Sequence, residues 1–477
     1  MFQNECDLFA SMKFVADLHL HSKYSRAVSA QMLLANMANW AIYKGISVAA
    51  TGDFTHPFWF DDIKNDLEDA GNGLYRLKTN DQRLTQKDQA LDVSPSALDE
   101  KKVYFLLSCE VSSIYSQGGR SRRIHTLFFF PSLNSVAKFN AELLKRGANL
   151  RSDGRSIVGI PARDLCEIAL RCDTKALIIP AHIWTPWYSV FGAFSGFDSI
   201  KECFGDLAQN IYGVETGLSS DPVMNWGISD LDTRAILSFS DAHSLAKMGR
   251  EATVIEADEI SYDSIYDAIY SSGNKKPKNM RSKIAFTIEF YPQEGKYHYT
   301  GHRDCNVSYS PAELARKGRN CPVCARQLTI GVTQRVKDLQ DNESGFEFRN
   351  INGVRWVYAN DNNRPPYVSM VPLAEIISEV EQVGVSTKNV TDKYFVLVKA
   401  FGSEFNVLLK ADIAEIAKNT NQKIADAIAK VRSGDIVVEP GYDGKFGVVK
   451  IDETEDRKND STTKSNSQES QLKLFAR

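Results

Sequence analysis

Short apolar runs alternate with helix-period segments along the first part of the chain. Most of these runs are continuously apolar, as expected when both faces of a strand are buried. Seven read as strands, at 13–18, 46–51, 103–110, 124–130, 176–181, 211–215 and 235–240. Amphipathic helices are predicted between them at 30–45, 135–147 and 162–171. The alternation predicts parallel βα units, arranged either as a barrel or as an open doubly wound sheet.

Histidines and carboxylates concentrate where these predicted strands end. Six of the eight histidines in the chain lie at or beside such an end. The polar residues at the strand ends are His19, His21, Asp53, His56, Glu110, His125, His182, Glu215, Asp241 and His243. Side chains two apart share one face of a strand, so both histidines of ADLHLHS can hold one ion. In βα barrels the carboxyl ends of the strands form the active site.

This set of ligands predicts a cluster of metals. Imidazole and carboxylate groups together suit zinc, manganese or iron, and magnesium is a further candidate. The potential ligands exceed the number that one ion takes, so we expect two or three divalent ions. Such clusters activate water and stabilise the attacking and leaving oxygens of a phosphoryl group. Phosphoester hydrolysis is therefore the predicted chemistry.

A second candidate metal site, here called the zinc knuckle, lies at 302–324. His302-x2-Cys305 and Cys321-x2-Cys324 are two ligand pairs separated by 15 residues. This spacing is typical of a tetrahedral structural zinc site, with His298 as a competing ligand. The surrounding segment 296–337 holds eight Lys or Arg against two Asp or Glu, and further basic stretches lie at 118–123 and 271–283. These patches favour a polyphosphate backbone as the ligand.

The C-terminal part reads as a small, mostly helical region followed by a tail. Helices are predicted at 372–384 and 421–434, and turns with a closing strand at 439–451. Residues 452–470 hold no strongly apolar residue, which predicts a disordered tether. Apolar residues return in QLKLFAR at the end. The predicted domains are thus 12–285, 286–345 and 346–451, with a tail at 452–477.

Composition narrows the function classes. The net charge is −3, so binding to nucleic acid would depend on local patches. Eight irregularly spaced cysteines argue against a disulfide framework. No run of about 18 apolar residues and no signal peptide was found, so we expect a cytoplasmic, nucleoid-associated protein without a membrane partner. No G-x-x-x-x-G-K-[ST] loop is present, which gives ATP-driven unwinding no support.

The order of the strand-end residues resembles the PHP domain, named for polymerase and histidinol phosphatase. That resemblance implies a distorted seven-stranded βα barrel with a trinuclear metal centre. The implied ligands are His19, His21, Asp53, Glu110, His125, His182, Asp241 and His243. Many members have another histidine soon after HxH, whereas this chain has KYSRAVS with Arg26. Two roles stay open for His56: it compensates as a ligand, or it contacts substrate.

The barrel, the zinc knuckle and the helical extension together resemble the endonuclease Q family. The resemblance rests on DLHLHSKYSR, TGDFTHP, HIWTPWYSVFGAFSGF, TGLSSDPVMNW, SDAHS and the knuckle. It implies cleavage of DNA on the 5′ side of hypoxanthine, uracil, xanthine and abasic sites, with the base flipped out. The expected catalytic residues are Asp241, His243 and Glu110, and Asp241 would also orient the water. The expected substrate contacts are Arg26, Trp184, Trp187, Tyr188, Glu215 and Trp226.

The tail adds a predicted partner. Gln471, Leu472, Leu474 and Phe475 are similar to the peptide that binds the bacterial sliding clamp, its β subunit. Three alternative functions remain: a PHP phosphatase of a small phosphoester, a PHP 3′–5′ exonuclease, and a non-catalytic DNA-binding adaptor. The basic patches and the knuckle speak against the first, and the complete ligand set speaks against the last. A ladder of products would reveal the exonuclease.

Overall fold

The structure is a computed structural model that describes residues 11–78, 103–272 and 281–451, together with Leu472 and Phe475. It has a mixed α/β fold. The elements up to residue 289 are β1 Met12–Asp17, α1 Leu34–Lys44, β2 Val48–Ala50, α2 Pro57–Asp66, β3 Leu67–Asp69, β4 Tyr75–Leu77, β5 Tyr104–Gln117, β6 Arg120–Phe130, α3 Leu133–Lys145, β7 Ser156–Val158, α4 Ala162–Cys172, β8 Leu177–Pro180, α5 Ile200–Phe204, β9 Gly213–Glu215, α6 Pro222–Trp226, β10 Ala235–Leu237, β11 Ala252–Ala257, α7 Tyr262–Ser271 and β12 Lys283–Glu289.

The remaining elements form a hairpin module, an extension of the sheet and a helical region. They are β13 Thr300–His302, β14 Val307–Tyr309, α8 Pro311–Lys317, α9 Val332–Leu339, β15 Phe346–Ile351, β16 Val354–Ala359, β17 Tyr367–Ser369, α10 Leu373–Glu381, α11 Lys388–Phe401, α12 Glu404–Leu409, α13 Ile413–Asn419, α14 Gln422–Ser433, β18 Val437–Glu439 and β19 Val448–Lys450. No helix of the described ranges is both long and apolar enough to cross a membrane.

All seven predicted strands exist, as β1, β2, β5, β6, β8, β9 and β10. Their pairing differs from the expected parallel barrel. β1, β2 and β5 are parallel, but β6 runs antiparallel to both β5 and β8, and β11 antiparallel to β1. In the described residues β9 and β10 form a separate parallel pair. The result is one large mixed sheet of 13 strands rather than a closed parallel ring of hydrogen bonds.

A tight turn explains the main difference. Gly118 and Gly119 have φ values of 60° and 72°, and Gln117 pairs with Arg120 across them. Two consecutive residues at positive φ are what a two-residue β-hairpin requires. The chain therefore reverses directly from β5 into β6. The sequence analysis had predicted these two strands as parallel members of βα units.

Strands on both sides of the predicted domain boundary at residue 346 belong to the same sheet. β17 pairs in parallel with β12, and β16 and β15 extend the same sheet outward. The helical region α10–α14 packs on this structure through a buried ion pair, in which Lys44 Nζ lies 2.6 Å from Glu404 Oε2. Glu404 also accepts hydrogen bonds from the Tyr394 hydroxyl and the backbone N–H of Leu373. These contacts fix the helical region to α1.

Candidate metal centre

Neighbouring strand ends bring the predicted ligands to one edge of the sheet. β1, β2 and β5 are parallel, so the segments that follow β1 and β2 emerge beside the carboxyl half of β5. A parallel bridge joins Leu20 to Ala242, with the N–H of His21 donating to the Ala242 carbonyl over 3.3 Å. The HxH segment and the SDAH segment therefore lie side by side.

Three overlapping groups of side chains could each hold one ion. They are His19 with His21 and Glu110; His21 with Asp241 and His243; and Glu110 with His125 and His182. The ligand atoms within each group lie within 4.8 Å of one another. His21 belongs to two groups and so does Glu110, so the three positions adjoin. Seven of the eight implied ligands are brought together in this way.

The eighth, Asp53, differs from the expectation. Its Oδ1 lies 3.1 Å from Nδ1 of His21, and its Oδ2 accepts hydrogen bonds from the Ser22 N–H and from the hydroxyls of Ser22 and Ser25. Asp53 is fully buried behind His21. In the described residues it orients a ligand and is not a member of the three groups.

Glu215 plays the same part for His19. Its Oε1 lies 2.8 Å from Nδ1 of His19, and its Oε2 accepts the backbone N–H of His182. The side chain is 0% exposed, so the predicted substrate contact is not available to it. Both histidines of the HxH pair thus have Nδ1 held by a buried carboxylate, which directs Nε2 towards the centre. Such carboxylate–histidine pairs fix the tautomer that binds metal.

The electrostatics of the centre favour ionised carboxylates. Burial lowers the pKa of His21, but the neighbouring Asp53 and Asp241 carboxylates outweigh burial and raise that pKa to about 9. Burial opposes ionisation of Glu110, yet His125 and Arg155 hold the pKa of its carboxyl well below the usual value. The carboxylates therefore stay ionised at neutral pH and attract cations into the centre.

An orphaned atom supports the same conclusion. In the described part of the chain, Nε2 of His19 is buried without a hydrogen-bond partner. The nearest carboxylate oxygens are those of Asp241 at 3.5 Å and Glu110 at 3.8 Å. A buried unpaired ring nitrogen is costly unless a ligand satisfies it. The donor set thus fits divalent metal ions of the kind that His and carboxylate ligands bind.

The backbone is strained at three of these residues. Asp53, His182 and Asp241 have φ values of 48°, 29° and 46°. Left-handed conformations are uncommon for residues other than glycine and cluster at functional sites. Surrounding contacts hold them: the Asp241 carbonyl accepts from Arg250 Nη2 and the His182 N–H donates to Glu215.

His56 and Arg26 lie beside the centre but outside the ligand groups of the described residues. The His56 ring stacks on Tyr24 with ring centroids 4.4 Å apart, and burial lowers its pKa. The Arg26 side chain is 73% exposed and its Nε lies 3.4 Å from Asp153. The ligand role of His56 therefore stays a prediction, and Arg26 remains open to a ligand.

Arg155 is a residue of the site that the sequence reasoning missed. Its Nη1 lies 3.3 Å from Oε2 of Glu110, just before β7. A lone arginine in the loop sequence SDGRS offers no pattern that would single it out. Only the register that places β7 beside β5 shows that this arginine enters the centre.

An aromatic cavity adjoins the centre. Its volume is 340 Å³, and it is lined by Arg123, Thr185, Pro186, Trp187, Tyr188 and Tyr297. Tyr188 has a φ of 65°, and its ring centroid lies 4.8 Å from that of the candidate ligand His125. The Arg123 guanidinium lies over the Tyr188 ring, 5.6 Å from its centroid. The cavity is large enough for a small planar ligand.

The other two predicted tryptophan contacts belong to the core. Trp184 is 1% exposed and donates from Nε1 to Oδ1 of Asn225 over 2.7 Å. Trp226 is 2% exposed and packs edge-on against Tyr367. Both side chains are needed for packing under the loops that surround the centre, so neither can stack on a substrate in this conformation.

The Cys/His module, residues 298–337, brings together the four residues that were predicted to bind zinc. His302, Cys305, Cys321 and Cys324 place their ligand atoms within 4.8 Å of one another, and His298 is buried elsewhere in the module. Burial opposes ionisation of Cys321, but the backbone N–H groups of the 321–324 turn lower its pKa to about 6. A thiolate at neutral pH is the form that binds zinc.

The Cys/His module also supports the loop that carries Trp187 and Tyr188 into the cavity wall. Arg335 on α9 donates from Nε to the Phe191 carbonyl over 2.9 Å and from Nη2 to the Phe197 carbonyl over 3.0 Å. Tyr297, at the entrance to the module, packs edge-on against Trp187. The cavity wall is therefore anchored from the side of the Cys/His module.

The end of the tail behaves differently from the free peptide expected. Leu472 and Phe475 are 1% and 4% exposed and join the main core, and Gln340 Nε2 donates to the Phe475 carbonyl over 3.0 Å. Gln471 and Leu474, the other two residues of the predicted clamp peptide, lie outside the described residues, as does the whole of 452–470.

Known proteins are similar to this chain in sequence. A family model described as the MJ0043 C-terminal domain matches residues 372–435. The uncharacterized protein YqxK of Bacillus subtilis is 28% identical over 92% of this chain and 99% of its own length. The uncharacterized protein MJ0043 of Methanocaldococcus jannaschii is 32% identical over 56% of this chain, which spans only 31% of the length of that relative.

The chain is a mixed α/β protein with candidate metal-binding groups at the edge of its sheet and a separate Cys/His module. The lesion-specific endonuclease PfuEndoQ of Pyrococcus furiosus has a similar structure, with a TM-score of 0.74 and 30% identity over 93% of this chain and 96% of that chain. A crystal structure of endonuclease Q with a 27-mer duplex that carries an abasic lesion matches equally well, covering 97% of that chain. The chain belongs to the endonuclease Q family.

Proposed function

We propose that this protein is a metal-dependent DNA repair endonuclease. It hydrolyses the phosphodiester bond 5′ of deaminated bases (hypoxanthine, uracil and xanthine) and of abasic sites. The observation that carries the proposal is the set of three adjoining ligand groups at the sheet edge, in a chain that matches a lesion-specific endonuclease over nearly its full length. Adjacent divalent ions suit phosphodiester hydrolysis because they can stabilise both the attacking and the leaving oxygen.

The chain's own residues would hold and orient the reaction. His19, His21, Glu110, His125, His182, Asp241 and His243 would hold the ions. When bound, these metals supply a nucleophilic water at neutral pH and neutralise charge on the phosphoryl group. Asp241 is 24% exposed at its side chain, whereas Glu110 is fully buried. Asp241 is therefore the carboxylate best placed to orient the attacking water, with His243 beside it.

The aromatic cavity would receive the damaged base. Tyr188 and Trp187 line the cavity next to His125, and both are partly exposed. A base in duplex DNA must leave its stack before an enzyme can read it, and aromatic rings stabilise the flipped base. Arg123 would bind the adjoining phosphate.

A cleavage assay tests the proposal. Purified protein with Mg²⁺ or Mn²⁺ is incubated with end-labelled duplexes that carry one uracil, one hypoxanthine, one abasic site or no lesion. We expect a single nick 5′ of each lesion, no nick in the undamaged duplex, and loss of about 10³-fold or more in rate for Asp241→Asn. Asp263→Asn, an exposed residue paired with Lys175 far from the centre, is the matched control. Full activity in Asp241→Asn would refute its role.

The same assay separates the alternatives. A ladder of shortened products from one end would indicate a 3′–5′ exonuclease. Turnover of p-nitrophenyl phosphate or free nucleotides without a lesion-dependent nick would indicate a phosphatase of small phosphoesters. DNA binding without any hydrolysis would indicate a non-catalytic adaptor.

We also propose the bacterial sliding clamp as a partner, on the condition that the tail is released. Leu472 and Phe475 are buried against the body, so a clamp would have to compete with the Gln340 contact. The isolated tail peptide should therefore bind the clamp more tightly than the intact protein, and Gln340→Ala should strengthen binding by the intact protein. Fluorescence anisotropy measures both affinities. No binding by the free peptide would rule the clamp out.

A further inference from the structure

The loop 153–155 carries a cation into the metal centre. We propose that Arg155 binds a non-bridging oxygen of the scissile phosphodiester, an assignment that rests on the proposed phosphodiesterase function. Its Nη1 lies 3.3 Å from Oε2 of Glu110, and its side chain is 25% exposed. Among the lysines and arginines of the described residues, Arg155 is the one with an ion pair to a candidate ligand carboxylate. Its guanidinium therefore faces both the ligands and solvent.

The loop is built to hold this arginine in place. Asp153 is 3% exposed, and its Oδ1 accepts the backbone N–H groups of Arg26 and Arg155, each over 3.2 Å. Gly154 packs so closely that a Cβ there would lie 2.5 Å from both Oδ2 of Asp53 and Oγ of Ser25. The Gly154 N–H also donates to the Tyr24 carbonyl over 3.0 Å. The backbone that supports Arg155 is thus fixed against the residues that orient His21.

The charge balance of the centre explains what this cation is for. Glu110 belongs to two of the three ligand groups, so bound ions would take up the negative charge that Arg155 now faces. A guanidinium left beside divalent ions is repelled unless an anion lies between them. A phosphodiester supplies that anion, and the planar guanidinium fork matches phosphate oxygens. Arg155 is accordingly expected to act on the substrate when the ions are in place.

Three variants test the assignment. Arg155→Met removes the charge and keeps much of the volume. Arg155→Lys keeps the charge without the planar guanidinium. Arg151→Met is the control, because Arg151 is an exposed arginine just before the loop and lies over the Phe58 ring. For each we would measure metal content by mass spectrometry and the Kd of inorganic phosphate for the metal-loaded protein by calorimetry. We would also measure kcat and KM on bis(p-nitrophenyl) phosphate and on the lesion duplex.

We expect Arg155→Met to keep its metals, to bind phosphate about 10- to 100-fold more weakly, and to lose about 10²-fold in kcat on both substrates. Arg155→Lys should recover to within about tenfold of the wild type, and Arg151→Met should match it. Unchanged phosphate binding in Arg155→Met would overturn the assignment. So would loss of metal, because Arg155 would then serve to position Glu110.

The design separates this inference from the proposed function. A wild-type protein that hydrolyses the small diester but nicks no lesion duplex would refute lesion repair, and the small diester would still test Arg155. A wild-type protein inactive on both would refute the proposed hydrolase, and phosphate binding alone would then decide whether Arg155 holds a phosphoryl oxygen.

Discussion

Glu215→Gln is the sharpest test of how the centre is organised. Glu215 is not one of the grouped candidate ligands, yet its two oxygens meet donors on two of them: Nδ1 of His19 at 2.8 Å and the backbone N–H of His182 at 2.8 Å. Glutamine has the same shape but only one acceptor oxygen. Its NH₂ group must face one of these donors, because the side chain is fully buried and has no room to turn outward.

The magnitude follows from this conflict. If the amide NH₂ faces His19, the stable tautomer places the proton on Nε2, and that nitrogen no longer has a lone pair for a metal. If it faces His182, a buried N–H is left unpaired at a residue already strained at φ 29°, at a cost of about 1–3 kcal/mol. Loss of such an outer partner typically weakens metal binding about 10- to 100-fold, which corresponds to about 1.4–2.7 kcal/mol.

Chelator competition measures the effect. Metal-loaded wild type and Glu215→Gln are titrated with a chelator of known affinity, and the metal released is followed by absorbance. Glu142→Gln, which alters a partly exposed carboxylate paired with Lys145 on α3, is the control and should match the wild type. If Glu215→Gln released its metals at the same chelator concentration as the wild type, the carboxylate would not set the tautomer of His19, and the reasoning would fail.

Three further predictions follow from other parts of the fold. Glu404→Gln leaves the buried Lys44 without its anion, so it should destabilise the protein by about 3–5 kcal/mol in urea denaturation, and a cost below about 1 kcal/mol would mean that the ion pair contributes little. Burial raises the pKa of Glu289 from the ordinary glutamate value of 4.5 to about 8. Between these pH values the folded wild type holds a proton that the unfolded chain releases, so the wild type loses stability as the pH rises. Glu289→Gln should therefore become more stable relative to wild type from about pH 5 to about pH 8, and a difference independent of pH would contradict the assignment. Cys321→Ser should remove one equivalent of zinc by mass spectrometry and expose the loop anchored by Arg335 to faster proteolysis, whereas unchanged zinc content would exclude the four-ligand site.

The sequence predicted which histidines and carboxylates would converge because their signal is local. A histidine or carboxylate that directly follows an apolar strand lies at the sheet edge whatever the connections between strands, so seven of the eight implied ligands came together. The family resemblance is confirmed by the structural match. The four Cys/His residues also converge as their spacing predicted.

What failed depends on distant contacts. The part that Asp53 and Glu215 play is decided by which nitrogen of a histidine each reaches, and residue order carries no information on that. Trp184 and Trp226 were predicted to face substrate because loop aromatics often do, but the contacts with Asn225 and Tyr367 bury them. The antiparallel pairing of β5 with β6 was not predicted, because it depends on one short turn, Gly118–Gly119, whose two positive φ values reverse the chain.

The left-handed backbone at Asp53, His182 and Asp241 means that the fold keeps local strain that lowers its conformational stability. Glycine adopts such angles without steric cost, so a glycine at one of these positions would relieve strain of about 1 kcal/mol and would also remove the contacts of the original side chain. Selection for thermal stability alone would therefore tend to erode this centre, and a screen for robust variants of the protein has to score cleavage as well as survival.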